Sequence, residues 1–308
     1  MDPSKESSFA APLPADSYAA YDPGLIEAPA SSLAAPDPDN PPWGVLTAAL
    51  TWLGSVVLLV GVQFLVIIPY ALYNYRGAGL EGAGQFLLKD PKAILLSVLS
   101  TIPAHLLTLA LVWAVVTGLG KRPFWRTLGW GWSASIGPWT SMGLAVLVLL
   151  VGGVLTKLVG GEATEVDQIV ASSSAARFAI AILATVTAPL VEEMIYRGML
   201  YSALQRVTGM VWAVVAVSFL FTFVHVFQYS NNLGVIAAIT IFSLSLTLMR
   251  AYSGRLLPCY VMHLVFNGLQ SIIIVSEPYM QRRGLGAVGQ QKAEAFFHVV
   301  TRLLENLI

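Results

Sequence analysis

The sequence predicts an all-α, polytopic membrane helix bundle of about seven to eight spans behind a disordered N-terminal tail, on three observations. The first is composition: 56% of the 308 residues are hydrophobic and 11% charged, with a mean hydropathy of +0.72, whereas soluble domains carry about 25% charged residues. The second is that charge-free runs long enough to cross the bilayer follow one another from Trp43 onward, and crossing takes roughly 20 apolar residues as helix. The third is that these runs lack the period-two alternation of barrel strands, and backbone in lipid must otherwise pair internally as helix.

Residues 1–42 form the tail, 43–276 the membrane domain and 277–308 a C-terminal segment. The tail is rich in Pro, Ala, Ser and Asp, with Lys5 as its only basic residue, and has too few apolar side chains to offset the entropy of ordering. It lacks the basic segment, apolar core and small-residue cleavage site of a signal peptide and is expected outside the bilayer. Seventeen basic and seventeen acidic residues cancel, so charge gives no argument for nucleic acid as a partner. The single cysteine, Cys259, excludes an intrachain disulfide and a paired-cysteine metal site.

The first span lies within Gly44–Tyr75, the second within Ala93–Gly120 and the third within Pro138–Thr156. Trp43, Trp52, Tyr73 and Trp139 suit interface anchors. The glycines of Gly77–Gly82 match GxGxxG, but they follow a span rather than a strand and are expected to form a flexible loop. The fourth span starts near Arg177 and continues across Glu192 and Glu193 toward Leu204. Val207–Met249 is charge-free but too long for one crossing, and the polar cluster Gln228–Asn232 splits it into a fifth and a sixth span. Leu256–Ser276 supplies the seventh. Phe296, Val300, Leu303 and Leu307 repeat at helical spacing among charged residues, the pattern of an amphipathic helix lying on the interface. Basic residues load both sides of the spans about equally, so orientation does not follow from them.

An ionisable group at mid-span costs about 2.5–3.5 kcal/mol on insertion scales, so each one calls for an explanation. Apart from His105, those placed within spans all lie after residue 190: Glu192, Glu193, Arg197, His225 and His263. Glu193 and Arg197 are spaced i, i+4 and in the favourable Glu-first order for pairing along one helix face. Glu192 points about 100° away and stays free to face a cavity. Phe221 and His225 sit one helical turn apart, so the ring can wall the space the imidazole enters. His263 and Asn267 share a helix face and aim two polar heads into one space. His105 has no companion motif and reads as a hydrogen-bonded packing residue. Taken singly, an ion-pair cluster or an interhelical hydrogen-bond pair accounts for each pattern. Together they put a carboxylate, two imidazoles and a carboxamide on three different spans.

In that order, Glu192–Arg197 (EExxxR), Phe221–His225 (FxxxH) and His263–Asn267 (HxxxN) resemble the CPBP family (CAAX protease and bacteriocin-processing, or Abi, membrane proteins), relatives of the type II CAAX prenyl endopeptidases. The resemblance covers roughly 177–276. It implies an intramembrane endopeptidase acting on a membrane-associated, CAAX-like protein or peptide, as a multi-pass protein of the cell membrane. It further implies that Glu192 and His225 activate a water, that His263 and Asn267 stabilise the oxyanion, and that Glu193, Arg197 and Phe221 support them. Burial raises a carboxylate toward the range of a general base, and an Asn amide and a suitably protonated His are within reach of an oxyanion role. Glu192, His225 and His263 also compose a catalytic zinc set; zinc stays open, with a metal-free site preferred. A non-enzymatic immunity or scaffold protein of the same family is the alternative. A proton-relay transporter fits less well, because no internal repeat is visible.

Overall fold

The computed structural model describes residues 37–77 and 79–283, all of the secondary structure being helical among them. In chain order the helices are α1 (Val45–Asn74), α2 (Gly79–Leu87), α3 (Pro91–Thr117), α4 (Phe124–Thr127), α5 (Pro138–Val159) and α6 (Glu165–Ser172). They continue with α7 (Ser174–Thr208), α8 (Met210–Tyr229), α9 (Leu233–Ser253) and α10 (Leu257–Arg282). Seven of these, α1, α3, α5, α7, α8, α9 and α10, are long and apolar enough to cross a membrane, and the chain is an integral multi-pass membrane protein.

Helix ends fall where the sequence supplies caps. Asp90 accepts the Lys92 N–H ahead of α3, with Pro91 in the first turn, and Gly118 closes that helix in a left-handed conformation. The turn cluster between the fifth and sixth spans supplies Asn232, whose side chain accepts the Val235 N–H and starts α9. Thr164 and Asp167 form a reciprocal capping box at α6. The GxGxxG stretch differs from expectation, since Gly79 opens the short helix α2; Phe86 of that helix stacks on Tyr75 with centroids 5.4 Å apart, which holds α2 against the end of α1.

Packing is helix on helix, with α1 against α3, α5 against α9 and α10, and α8 against α9. In lipid the apolar side chains gain little by facing each other, so close approach through small residues matters more. At Gly234 a Cβ would stand 2.8 Å from the Thr156 Cα, which allows α9 to touch the backbone of α5. Leu46, Leu50, Val57, Phe64, Leu65 and Leu72 of α1 are exposed, a surface suited to acyl chains and not to water.

The buried interior, by contrast, holds charge. Arg197, Arg250 and Glu193 are among the largest fully enclosed side chains. Arg250 was not anticipated, because it sits at the edge of the apolar run; the structure puts it in the last turn of α9. Its guanidinium meets Asp39 at 2.8 Å and donates to the Pro38 carbonyl, while Arg206 of α7 binds Asn40, Pro41 and Trp43. Residues 37–43 are thereby fastened to the bundle, and Trp43 is buried, donating its indole N–H to the Met199 carbonyl at 3.2 Å. At the other end α10 runs past Ser276 to Arg282. Residues 1–36 of the tail and the amphipathic pattern at Phe296–Leu307 lie outside the described residues.

Candidate active site

The site is assembled on α7, a helix whose regular hydrogen bonding is interrupted twice. Wide π-type turns occupy Leu183–Thr187 and Met194–Tyr201, flanking the α-helical stretch that carries Glu192 and Glu193. Such turns leave carbonyls without their usual partner and often mark functional positions.

The two adjacent glutamates are treated unequally. Glu193 is fully buried: its Oε1 accepts from Arg197 Nη1 at 2.9 Å and lies 2.8 Å from His263 Nδ1, while Oε2 has no hydrogen-bond partner. Arg197, also fully buried, donates in addition to the Ser243 carbonyl and hydroxyl at 3.0 and 2.9 Å and to Thr247 Oγ1 at 3.3 Å. Its guanidinium stands 4.7 Å over the Phe221 ring, a cation–π contact strengthened where water is excluded. Glu192 instead keeps 24% of its side chain accessible and has only one polar contact, its Oε2 lying 3.7 Å from His263 Nε2. Of the EExxxR carboxylates, one is locked and the other is available.

The two imidazoles are oriented by oxygen acceptors. His263 is enclosed by Phe242 and Phe221, and because an ionised carboxylate only accepts, its Nδ1–H donates to Glu193. Its Nε2 faces Glu192 and becomes a donor only in the imidazolium form. His225 lies 2.7 Å from the Phe221 carbonyl through Nδ1, so its proton resides there and the Nε2 lone pair is unengaged. The ring stacks on Phe221 at 4.6 Å. Phe221 thus touches Arg197, His225 and His263 together. Asn267, one turn beyond His263, donates from Nδ2 to the Ala184 carbonyl at 2.8 Å.

Glu192, Glu193, Arg197, Phe221 and His263 are therefore in one contiguous cluster; His225 joins it through Phe221, and Asn267 joins it through α7. Glu192 and His225 make no direct hydrogen bond. Among the described residues no three His, Cys, Asp or Glu side chains gather as a metal-holding group.

Several participants were not read from sequence. The Glu193–His263 bond runs between α7 and α10, and Ser243 and Thr247 of α9 receive Arg197. Their i, i+4 spacing in an apolar run was the available signal. His105, expected as a packing residue, pairs with Thr187 at 2.9 Å.

Residues 174–269 match the family described as Type II CAAX prenyl endopeptidase Rce1-like. No curated protein and no solved structure matches the chain. The matched stretch opens with α7 and closes two residues beyond Asn267, so it contains every residue of the cluster. Over 174–269 this multi-pass membrane protein is thus similar to the Rce1-like type II CAAX prenyl endopeptidases, a family of CAAX-type intramembrane proteases.

Proposed function

We propose that the chain hydrolyses a peptide bond of a membrane-associated, CAAX-like protein or peptide in the cell membrane, with Glu192 and His225 activating the attacking water and His263 and Asn267 holding the oxyanion. The observation that carries this reading is the inequality of the glutamates: Glu193 is consumed by Arg197 and His263, while Glu192 is left partly accessible with no hydrogen-bond partner. A base needs a free lone pair, and Glu192 and the unengaged Nε2 of His225 supply two.

Water attacks the carbonyl carbon and gives its proton to this pair. The carbonyl oxygen becomes an oxyanion, stabilised by the remaining Asn267 N–H and by the Nε2–H of a His263 that enters the reaction as imidazolium and keeps both its protons throughout. Collapse breaks the C–N bond, and the proton taken from water leaves on the amine. Glu193, Arg197 and Phe221 fix the rings and take no part in bond making. The reading is metal-free. An apolar groove among α3, α4 and α7, lined by Trp113, Phe124, Trp125, Leu190 and Met194, suits a substrate that arrives from lipid.

Terminal proteomics on membranes holding wild-type or Glu192→Ala protein is the direct test. New protein termini present only with wild type are the expected result. Equal termini with correctly inserted Glu192→Ala and His225→Ala proteins would overturn the reading in favour of an immunity or scaffold role. Stoichiometric zinc in active purified protein would overturn its metal-free form.

A further inference from the structure

The Asn267 carboxamide has two N–H donors and one oxygen, and an amide that flips end for end would present an acceptor where an oxyanion needs a donor. What holds it the right way round is a backbone oxygen on another helix, the Ala184 carbonyl at 2.8 Å. In a regular helix that carbonyl would be occupied by the N–H four residues on, from Ala188. Here the Ala188 N–H goes to Leu183 instead, five residues back, because the chain is in its wide turn. The next N–H in line for Ala184, at the wide-turn spacing, would come from residue 189. Residue 189 is Pro, which has no N–H.

We infer that Pro189 and the wide turn at Leu183–Thr187 are a positioning device for Asn267, leaving one backbone carbonyl vacant so that it orients the carboxamide with its second N–H as the donor left for the reaction. The inference rests on the oxyanion role proposed above for Asn267. Neighbouring contacts hold the device in register. Thr185 donates to Ser271 at 2.9 Å, Ser271 donates to the Ala181 carbonyl at 3.1 Å, and His105 of α3 pairs with Thr187 on the far side. Gly268 keeps this seam tight, since a Cβ there would already touch Thr185 at 3.5 Å. His105, with no role in the hydrolytic steps, acquires one as a brace for the turn.

Pro189→Ala is the informative change. It supplies an N–H that competes with Asn267 for the Ala184 carbonyl, and it favours the helix, so unfolding is not its expected consequence. The probe is a fluorescence-quenched peptide spanning the terminus identified by proteomics, assayed in micelles. Pro189→Ala should lower kcat about tenfold or more with KM unchanged, given that an oxyanion donor contributes about 10²–10³ in rate. The double variant Pro189→Ala/Asn267→Ala should be no slower than Asn267→Ala alone, because the first acts only through the second.

Three results would overturn the inference: wild-type kcat in Pro189→Ala, a rate loss that multiplies onto that of Asn267→Ala, or a Pro189→Ala protein less stable than wild type in mixed micelles. Wild-type kcat in Asn267→Ala is a separate outcome. It would remove the oxyanion assignment itself, and the device with it.

Discussion

Arg197→Met tests the idea that the buried network, and not the apolar packing around it, fixes the site. The substitution keeps an unbranched side chain of helix-favouring type but removes the bonds to Glu193, Ser243 and Thr247 and the contact with Phe221. Glu193, fully enclosed and already short of a partner at Oε2, is left as a buried carboxylate facing only His263. Breaking a buried pair from one side costs about 3–5 kcal/mol, a large share of the roughly 5–15 kcal/mol that separates folded from unfolded protein. Titration of unfolding with SDS in mixed micelles, followed by tryptophan fluorescence, measures it. Adding Glu193→Gln to Arg197→Met should recover at least about 1 kcal/mol, because the orphan charge is gone while the amide oxygen still accepts from His263. A single variant within about 1 kcal/mol of wild type would refute the argument, as would a double variant less stable than the single one.

Other expectations are independent of that network. Glu192→Gln should lower cleavage by about 10²–10⁴-fold, the usual contribution of a general base, while shifting the unfolding midpoint little, since Glu192 accepts no hydrogen bond in the fold. Gly234→Ala should destabilise the protein by about 1–3 kcal/mol through overpacking against the Thr156 backbone; Gly268→Ala, whose Cβ meets only a methyl at ordinary contact distance, should cost less than Gly234→Ala in the same unfolding assay. At Asp90, which precedes the second span, hydrogen bonds from Tyr70 and then Tyr75, both at 2.6 Å, hold the carboxyl down to about 2 from its usual 3.8. A depressed folded value stabilises fully above the unfolded one and is lost as pH falls, so wild type should lose stability between about pH 4 and 2 more steeply than Asp90→Asn. Parallel curves would discount the bond's contribution.

The position of the spans was legible because the criterion is one-dimensional: a charge-free run of sufficient length must be helix in lipid. Val45–Asn74, Pro138–Val159 and the α8–α9 break at Asn232 follow from that rule, the break being marked by the residues that cap α9. The Glu193–Arg197 pair was legible for a similar reason, since i, i+4 neighbours meet whatever surrounds the helix. Arg250 escaped because a charge at the edge of an apolar run reads as outside the bilayer; its burial depends on Asp39 and Pro38, which belong to a stretch whose composition suggests no order.

What the sequence by itself determined is the helical class, the count and placement of the spans, and the candidate residues gathered into three motifs. Only the tertiary structure decided which glutamate is locked and which is free, that His263 is oriented by Glu193 and His225 by a backbone carbonyl, and that Asn267 is held by Ala184. Those choices depend on how α7, α8 and α10 are rotated and how deeply each is set. A helical period fixes which side chains share a face, but the neighbour that face meets is set by packing among all the helices, and by a wide turn that shifts α7's own register.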